Sequence, residues 1–387
     1  MGEERVDFDL SDEHARLQRT VREFAQARIA PVIQQYLEQD AFPTSIVREL
    51  ADLGVMELPC PEAYGGGGAG MLAFAVVIEE LARVSPSVAA IVFAHSSPMT
   101  LIALFGTEAQ KQAWLPPLAR GQLLGAIGLT EPSGGSDAAA LRTRAARDRN
   151  GWVIDGSKTF ITNTGTPIGC LAVIAAATEG DQARDRLSAF ILGPDATGML
   201  VGKRLRTIGW RAADTSELFF DACHVPSDAL LGQRGQGLHQ MLTAVTYGRI
   251  CVAALGVGLA QACFDQARTY ARERHAFGRP ISVFQGISFK LVDIAVQIEA
   301  ARLLTYRAAA LCDAGRSFRA EASMAKLFAT EIAFDAARQA IQVHGAYGLS
   351  REHPVSWLLG EAKVLEVVEG TSEIQRLLLA RLLSISD

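Results

Sequence analysis

The residues best suited to chemistry lie near the C-terminus, where Glu369 stands directly before Gly370 and Thr371. The pattern predicts that one helix ends at Gly370 and that another begins after Thr371. The start of such a helix offers free backbone N–H groups to an anion, and Glu373 falls in its first turn. A carboxylate at this break is either a capping residue or a general base, and the pattern alone leaves both interpretations open.

A second candidate is the stretch 128–137, which is rich in glycine, serine and threonine. Its hydroxyls and backbone amides could bind a polar ligand, or it could be an ordinary surface loop. A third pattern, G-x-G-x-x-G at Gly65, Gly67 and Gly70, is preceded by prolines instead of a strand. We therefore interpret it as a surface loop, because a dinucleotide site needs that strand.

Composition excludes several classes of function. The chain has 387 residues, of which 49% are hydrophobic and 20% charged, with a net charge of −5. This balance is typical of a globular enzyme and offers no basic face to nucleic acid. The six cysteines are scattered without C-x-x-C or Cys/His spacing, so we expect buried free thiols in a reducing compartment and no metal site.

No segment indicates export or membrane insertion. The N-terminus lacks the basic and apolar regions of a secretory signal. The apolar stretch 250–259 is interrupted by Gly256 and Gly258 and is too short to span a bilayer. We expect a cytoplasmic protein without a membrane partner.

The elements that must position these residues fall into three regions. Helical spacing of apolar residues dominates the first third. The middle predicts a small antiparallel sheet or barrel, including a strand, an Asp155-Gly156 turn and a second strand within 151–162. Long amphipathic segments then predict an antiparallel bundle. We expect domains at 1–122, 123–234 and 235–387.

Taken together, these segments resemble a known family. The loop 128–137 resembles the first signature of the acyl-CoA dehydrogenases, and 342–375 resembles their second signature and catalytic E-G-T. Supporting matches run along nearly the whole chain, at 61–66, 79–83, 160–163, 218–221 and 274–278. The resemblance implies a mostly α fold with an N-terminal helical domain, a small β-barrel domain and a C-terminal four-helix bundle.

The resemblance also implies a reaction, the FAD-dependent dehydrogenation of the α–β bond of an acyl thioester. Glu369 matches the family's base. Some members carry the base on a bundle helix instead, at the position of Gly248, and glycine cannot serve. Ser136, Arg249 and Gly370 match positions beside the substrate.

For FAD, the resemblance implies contacts in two groups. One group lies beside the flavin ring and the ribityl and pyrophosphate arm, and comprises Ile127, Leu129, Thr130, Phe160, Ile161, Thr162, Thr371 and Glu373. The other group reaches the cofactor of a neighbouring subunit, and comprises Arg274, Phe277, Gln285, Gln342 and Gly345. A shared site requires oligomerisation, and the family's homotetramer is expected.

Departures from the family's pattern leave the thioester carrier open. Thr246, Val368 and His353 stand where Asp, Tyr and an aromatic residue are common, and three further residues differ, at 357, 360 and 361. The departures fit either an unusual acyl group on free CoA or a carrier-protein thioester in biosynthesis. Electron-transfer flavoprotein and oxygen are the alternatives for the electron acceptor. A flavin N-hydroxylase or a non-catalytic protein on the same fold would be expected to lack Glu369.

Overall fold

The N-terminal region is a set of helices packed around a shared apolar core. The computed structural model describes residues 9–178 and 186–385. Ser11 begins the first helix by accepting a hydrogen bond from the backbone of His14, and Thr107 and Gln110 form a reciprocal capping box at the sixth. The helices are α1 (Asp12–Phe24), α2 (Ile33–Glu38), α3 (Thr44–Asp52), α4 (Gly70–Ala82), α5 (Pro86–Phe105) and α6 (Glu108–Ala119).

The middle region is one mixed sheet, formed by β1 (Leu124–Gly128), β2 (Arg144–Arg147), β3 (Gly151–Thr162), β4 (Cys170–Ala177), β5 (Leu187–Leu192), β6 (Met199–Arg204), β7 (Thr215–Pro226) and β8 (Leu230–Leu231). The strand order is β6-β7-β3-β2-β4-β5-β8, and β1 pairs with β4. The β1–β4 and β2–β4 pairs are parallel, which corrects the prediction of an antiparallel sheet at these two pairs. The other pairs of this sheet are antiparallel, as predicted. No pairing of β6 with β8 closes the path within the described residues.

The predicted turn at Asp155-Gly156 does not exist, because β3 runs straight through it. The register between β3 and β7 shifts at this point, which makes it a β-bulge. Gly156 has φ +143°, and a Cβ there would lie 2.7 Å from the Cα of Thr143. Long-range pairing with β7 thus replaced the hairpin that the local Asp-Gly signal predicted.

The C-terminal region is a helical bundle in which α7 packs against α9, α8, α4 and α5. A Cβ on Gly256 would lie 2.7 Å from the backbone oxygen of Ala329, so glycine permits the close approach of α7 and α9. The helices are α7 (Gly237–Glu273), α8 (Gln285–Asp313), α9 (Arg319–His344), α10 (Val355–Val367) and α11 (Ser372–Leu382). A two-stranded hairpin, β9 (His275–Ala276) with β10 (Arg279–Pro280), joins α7 to α8.

Two helices, α5 and α7, are long and apolar enough to cross a membrane by length and composition alone. In both, 78% of the apolar window is buried inside the protein, so the apolar core accounts for their composition. All six cysteines are free thiols, as predicted. Cys312 is only partly buried, which corrects the expectation of burial for that residue.

Candidate active site

The loop between α10 and α11 holds Glu369 in an unusual backbone conformation. Glu369 has φ +54° and Gly370 follows at φ +91°. A non-glycine residue in the left-handed region costs about 1–3 kcal/mol and persists only where its surroundings hold it. Thr371 then begins α11, its hydroxyl accepting a hydrogen bond from the backbone of Ile374.

Three side chains stabilise this backbone conformation by donating hydrogen bonds to the carbonyl oxygens of the loop. Arg249 Nε lies 3.3 Å from the carbonyl oxygen of Glu369. Gln375 Nε2 lies 3.0 Å from the same oxygen and 2.9 Å from that of Gly370. Lys326 Nζ also donates to Gly370, at 2.9 Å. The three donors come from α7, α11 and α9, so the loop is fixed from three helices.

The carboxyl group of Glu369 lies in a gap on α7 that a glycine leaves open. A Cβ on Gly248 would stand 2.9 Å from Glu369 Oε2 and 3.1 Å from the ring of Phe93. Burial raises the pKa of Glu369 to about 7, although Arg249 and Lys326 both act to lower it. The result is a carboxylate of the strength that proton abstraction near neutral pH requires.

No hydrogen bond within the described residues satisfies either the Glu369 carboxyl or the backbone N–H of Glu369. Both groups are therefore available to a ligand. A base and an N–H donor on one residue can take a proton and stabilise a neighbouring oxygen in the same molecule.

A cleft of about 640 Å³ runs along α7 and is lined by Arg249 and Arg319. Thr246, one of the departures noted in the sequence, lines it as well, but its hydroxyl donates to the backbone of Leu242. None of the lining residues is acidic. They are Gly235, Gln236, Leu238, His239, Leu242, Thr243, Thr246, Tyr247, Arg249, Phe318 and Arg319. A ligand with both anionic and apolar parts fits this lining.

The residues predicted on the two sides of a flavin ring come together at the ends of β1 and β3. The backbone N–H of Thr159 donates to the carbonyl of Thr130 at 3.0 Å. Phe160 has φ +59° and its side chain is 62% exposed, so an aromatic face is available beside Leu129 and Thr130. Ile161 differs, because its side chain is 2% exposed and belongs to the core of the sheet.

A buried ion pair anchors this region. Lys158 Nζ lies 2.8 Å from Glu131 Oε1 and 3.4 Å from the carbonyl oxygen of Leu129. Glu131 also accepts the backbone N–H groups of Arg142 and Thr143, at 2.6 and 2.9 Å. Burial alone would raise the pKa of Glu131, yet these hydrogen bonds lower it to about 2. The pair ties the 128–131 segment to β3.

We expect Lys158→Met to destabilise the protein by about 3–5 kcal/mol, because it leaves the buried Glu131 charge without its partner. The free energy of unfolding, measured by urea denaturation, checks this. Lys203→Met, which removes an exposed lysine on β6, is the matched control and should change stability by less than about 0.5 kcal/mol. A loss below about 1 kcal/mol for Lys158→Met would contradict the anchoring role.

The second group of predicted cofactor residues lies far from Glu369. Arg274 is 25 residues after Arg249, which is about 37 Å along α7. The guanidinium of Arg274 stacks 6.0 Å from the ring of Tyr347, and Phe277 is 94% exposed at the hairpin. The group occupies one exposed end of the bundle, through Arg274, Phe277, Gln285, Gln342 and Gly345. Arg274 is therefore separated from the Arg249 end of α7 by most of the length of that helix.

The remaining predicted residues lie in two places. Thr371 and Glu373 are at the start of α11, beside the Glu369 loop. The backbone N–H of Glu373 and the hydroxyl of Thr371 lower the pKa of the Glu373 carboxyl. Ser136 lies in an exposed loop, and within the part of the chain that the structure describes no hydrogen bond joins it to the Glu369 loop.

Sequence reasoning missed Lys326, Gln375 and Phe93. Lys326 is fully buried, and its only signal is its place among apolar residues on α9, Ala325 and Leu327. Arg249 was predicted at the substrate. It does line the cleft, but its hydrogen bonds go to the Glu369 loop and to Ser323.

Comparison with known proteins gives a consistent result. Three sequence models match consecutive parts of the chain: the acyl-CoA dehydrogenase N-terminal domain at 11–122, the middle domain at 126–223 and the C-terminal domain at 235–384. An acyl-CoA dehydrogenase of Bacillus subtilis is 42% identical, over 97% of this chain and 98% of that protein.

Solved structures agree. Butyryl-CoA dehydrogenase from Megasphaera elsdenii superposes with a TM-score of 0.95 at 35% identity, over 98% of this chain and 100% of that chain. A glutaryl-CoA dehydrogenase from Mycobacterium smegmatis in complex with FADH2 gives a TM-score of 0.92 at 28% identity, over 97% and 96%.

Proposed function

The chain belongs to the acyl-CoA dehydrogenase family, and on that basis we propose that Glu369 is the base that removes the α-proton of the substrate. The protein is an oxidoreductase that acts on the CH–CH bond of an acyl-CoA. The observation that carries the assignment is the Glu369 carboxyl itself, which accepts no hydrogen bond from the residues that the structure describes and whose pKa burial raises to about 7.

Glu369 and the side chains around it have separate roles in the proposed reaction. Its carboxylate takes the proton, and its backbone N–H donates to the thioester oxygen, where negative charge develops as the proton leaves. Arg249 and Gln375 hold the adjacent carbonyl, which keeps the base and the N–H donor in a fixed relation. Arg319 at the cleft attracts the anionic part of the thioester carrier.

FAD is the proposed cofactor, and the residues present fit it. The exposed ring of Phe160 stands beside Leu129 and Thr130 and offers a flat apolar surface. The start of α11 at Thr371 offers N–H groups to a ribityl or pyrophosphate arm. When bound, FAD supplies the acceptor for the β-hydride. The M. smegmatis relative, solved with FADH2, supports this choice.

We propose that the protein works as a homotetramer in the cytoplasm. Arg274 lies at the opposite end of α7 from the Glu369 region, and this separation supports a contact between the Arg274 end of the bundle and the flavin of a neighbouring subunit. An exposed apolar face on α8, formed by Phe289, Val292 and Val296, supports subunit association. The free thiols support a reducing compartment.

Each turnover leaves two electrons on the enzyme that must depart before the next. Electron-transfer flavoprotein is the proposed acceptor, and the similarity to a chain from a structure described as an electron transferring flavoprotein of Acidaminococcus fermentans supports this choice. The cleft's lining without acidic residues suits the phosphates of CoA and of a carrier's phosphopantetheine equally.

Anaerobic titration of the flavin-loaded protein with acyl-CoA thioesters tests the proposed function. We expect the absorbance of the oxidised flavin to bleach on addition of a CoA thioester, because the flavin accepts the β-hydride. The same acyl groups on a carrier protein form the second arm. Bleaching by the carrier arm alone would move the substrate to a carrier thioester, and bleaching by neither would contradict the dehydrogenase assignment.

A further inference from the structure

Lys326 is a buried cation that the mechanism above does not use. Its side chain is fully buried on α9. Its ammonium donates to the carbonyl of Glu366 at 3.1 Å and to that of Gly370 at 2.9 Å. No carboxylate lies within ion-pair distance of it in the described residues. A buried ammonium satisfied by carbonyls alone costs desolvation energy, so a neutral residue would serve stability better.

The two carbonyls lie on either side of Glu369. Glu366 belongs to the last turn of α10, where carbonyls lack partners in the helix. Gly370 comes directly after the base. Within the loop, Arg249 donates to the Glu369 carbonyl, and Gln375 donates to the carbonyls of Glu369 and Gly370. Among the side chains described at the loop, Lys326 alone connects the carbonyl of Gly370 to that of Glu366 at the end of α10.

We propose that Lys326 is a positioning residue that fixes the backbone on both sides of Glu369. It thereby holds the backbone of Glu369 in its left-handed conformation and the catalytic carboxylate in place. The inference rests on the proposed role of Glu369 as the base. Lys326 influences the reaction only through the loop and does not contact the substrate.

The charges around Lys326 give this role a second consequence. Burial lowers the pKa of Lys326 to about 8, while Glu369, Glu366 and Glu331 act to raise it and Arg249 to lower it. Lys326 is therefore mostly protonated at neutral pH. Its charge, together with that of Arg249, opposes the rise in the pKa of Glu369 that burial causes.

Arg319 and Cys251 complete the set of groups that act electrostatically on this site. Burial lowers the pKa of Arg249, and Glu369 acts to raise it. Arg319, at the start of α9, also acts to lower the pKa of Arg249. Burial raises the pKa of the Cys251 thiol, and Glu369 adds to that rise, so Cys251 stays neutral. Arg249 and Lys326 are the cations that act to lower the pKa of Glu369.

Lys326→Met tests the proposal. We expect kcat to fall by about 100-fold, the cost of a base displaced by about 1 Å, with KM changed less than about threefold because the cleft is untouched. The acidic limb of the kcat profile should also move. Glu369 must be ionised to act, so activity is lost as pH falls through its pKa. Removing a nearby positive charge raises that pKa, and the limb shifts to higher pH.

Lys363→Met is the matched control, since Lys363 is an exposed lysine whose ammonium pairs with the Glu366 carboxylate. Its kcat and pH profile should stay near those of the unchanged enzyme, because exposed pairs contribute little. Lys326→Arg keeps the charge and should recover the pH profile while kcat stays low. If Lys326→Met does not yield soluble protein, Lys326→Gln is assayed by the same two readouts.

A purely structural lysine would give a different result. Lys326→Met or Lys326→Gln enzyme that is less stable but has unchanged kcat per bound flavin and an unmoved acidic limb would overturn the proposal. Glu369→Gln, assayed in parallel, separates this failure from that of the proposed function. If Glu369→Gln is inactive, only the role of Lys326 falls; if it is active, the base assignment itself is wrong.

Discussion

Glu369→Gln is expected to lower kcat by about 10,000-fold, the upper range for removal of a general base. The substitution keeps the size of the side chain but leaves an amide that cannot accept the α-proton. The effect should appear in the reductive half-reaction, followed as bleaching of the flavin after rapid mixing with an acyl-CoA. Flavin content and assembly should not change, because the loop is held through backbone carbonyls, which the substitution retains.

Glu299→Gln is the control for Glu369→Gln. Glu299 is an exposed glutamate on α8 that pairs with Arg302, so its loss should leave kcat within about twofold, as for most surface substitutions. Bleaching by Glu369→Gln at a rate near that of the unchanged enzyme would show that another group is the base.

The order of helices, sheet and bundle could be predicted from the sequence because each region carries a local period. Apolar residues at helical spacing and the long segments of the bundle depend only on near neighbours. The bulge at Gly156 could not be predicted in this way. It is set by pairing with β7, about sixty residues further on, while the local Asp-Gly signal favours a turn.

The same limit applies to the candidate site. Glu369 could be located because the helix break and the E-G-T signature are contiguous in sequence. Lys326, more than forty residues earlier, reaches the loop only because α9 packs against α10 and α11. Nothing in the sequence near Lys326 indicates that its ammonium meets the carbonyls of Glu366 and Gly370. Contacts of this kind require the assembled bundle.

The gap at Gly248 leads to the second large effect. Because a Cβ there would lie 2.9 Å from Glu369 Oε2, a glutamate at 248 would bring its carboxyl into the same space from α7. Glu369→Gly should lower kcat by about 10,000-fold. Adding Gly248→Glu should then recover about 100-fold of that loss, since the base returns near its place but without the original geometry.

The single variant Gly248→Glu should also be inactive, because its new carboxyl group and that of Glu369 would compete for the same gap. Each substitution alone is then harmful and the pair is better than either, which is the non-additivity expected of residues in contact. Gly248→Gln with Glu369→Gly controls for filling the space and should recover nothing. A Gly248→Glu/Glu369→Gly enzyme no faster than Glu369→Gly would mean that a carboxyl on α7 cannot reach the substrate's α-proton. The chemistry would then depend on the loop conformation that Arg249, Gln375 and Lys326 maintain, and not on the position of the carboxyl alone.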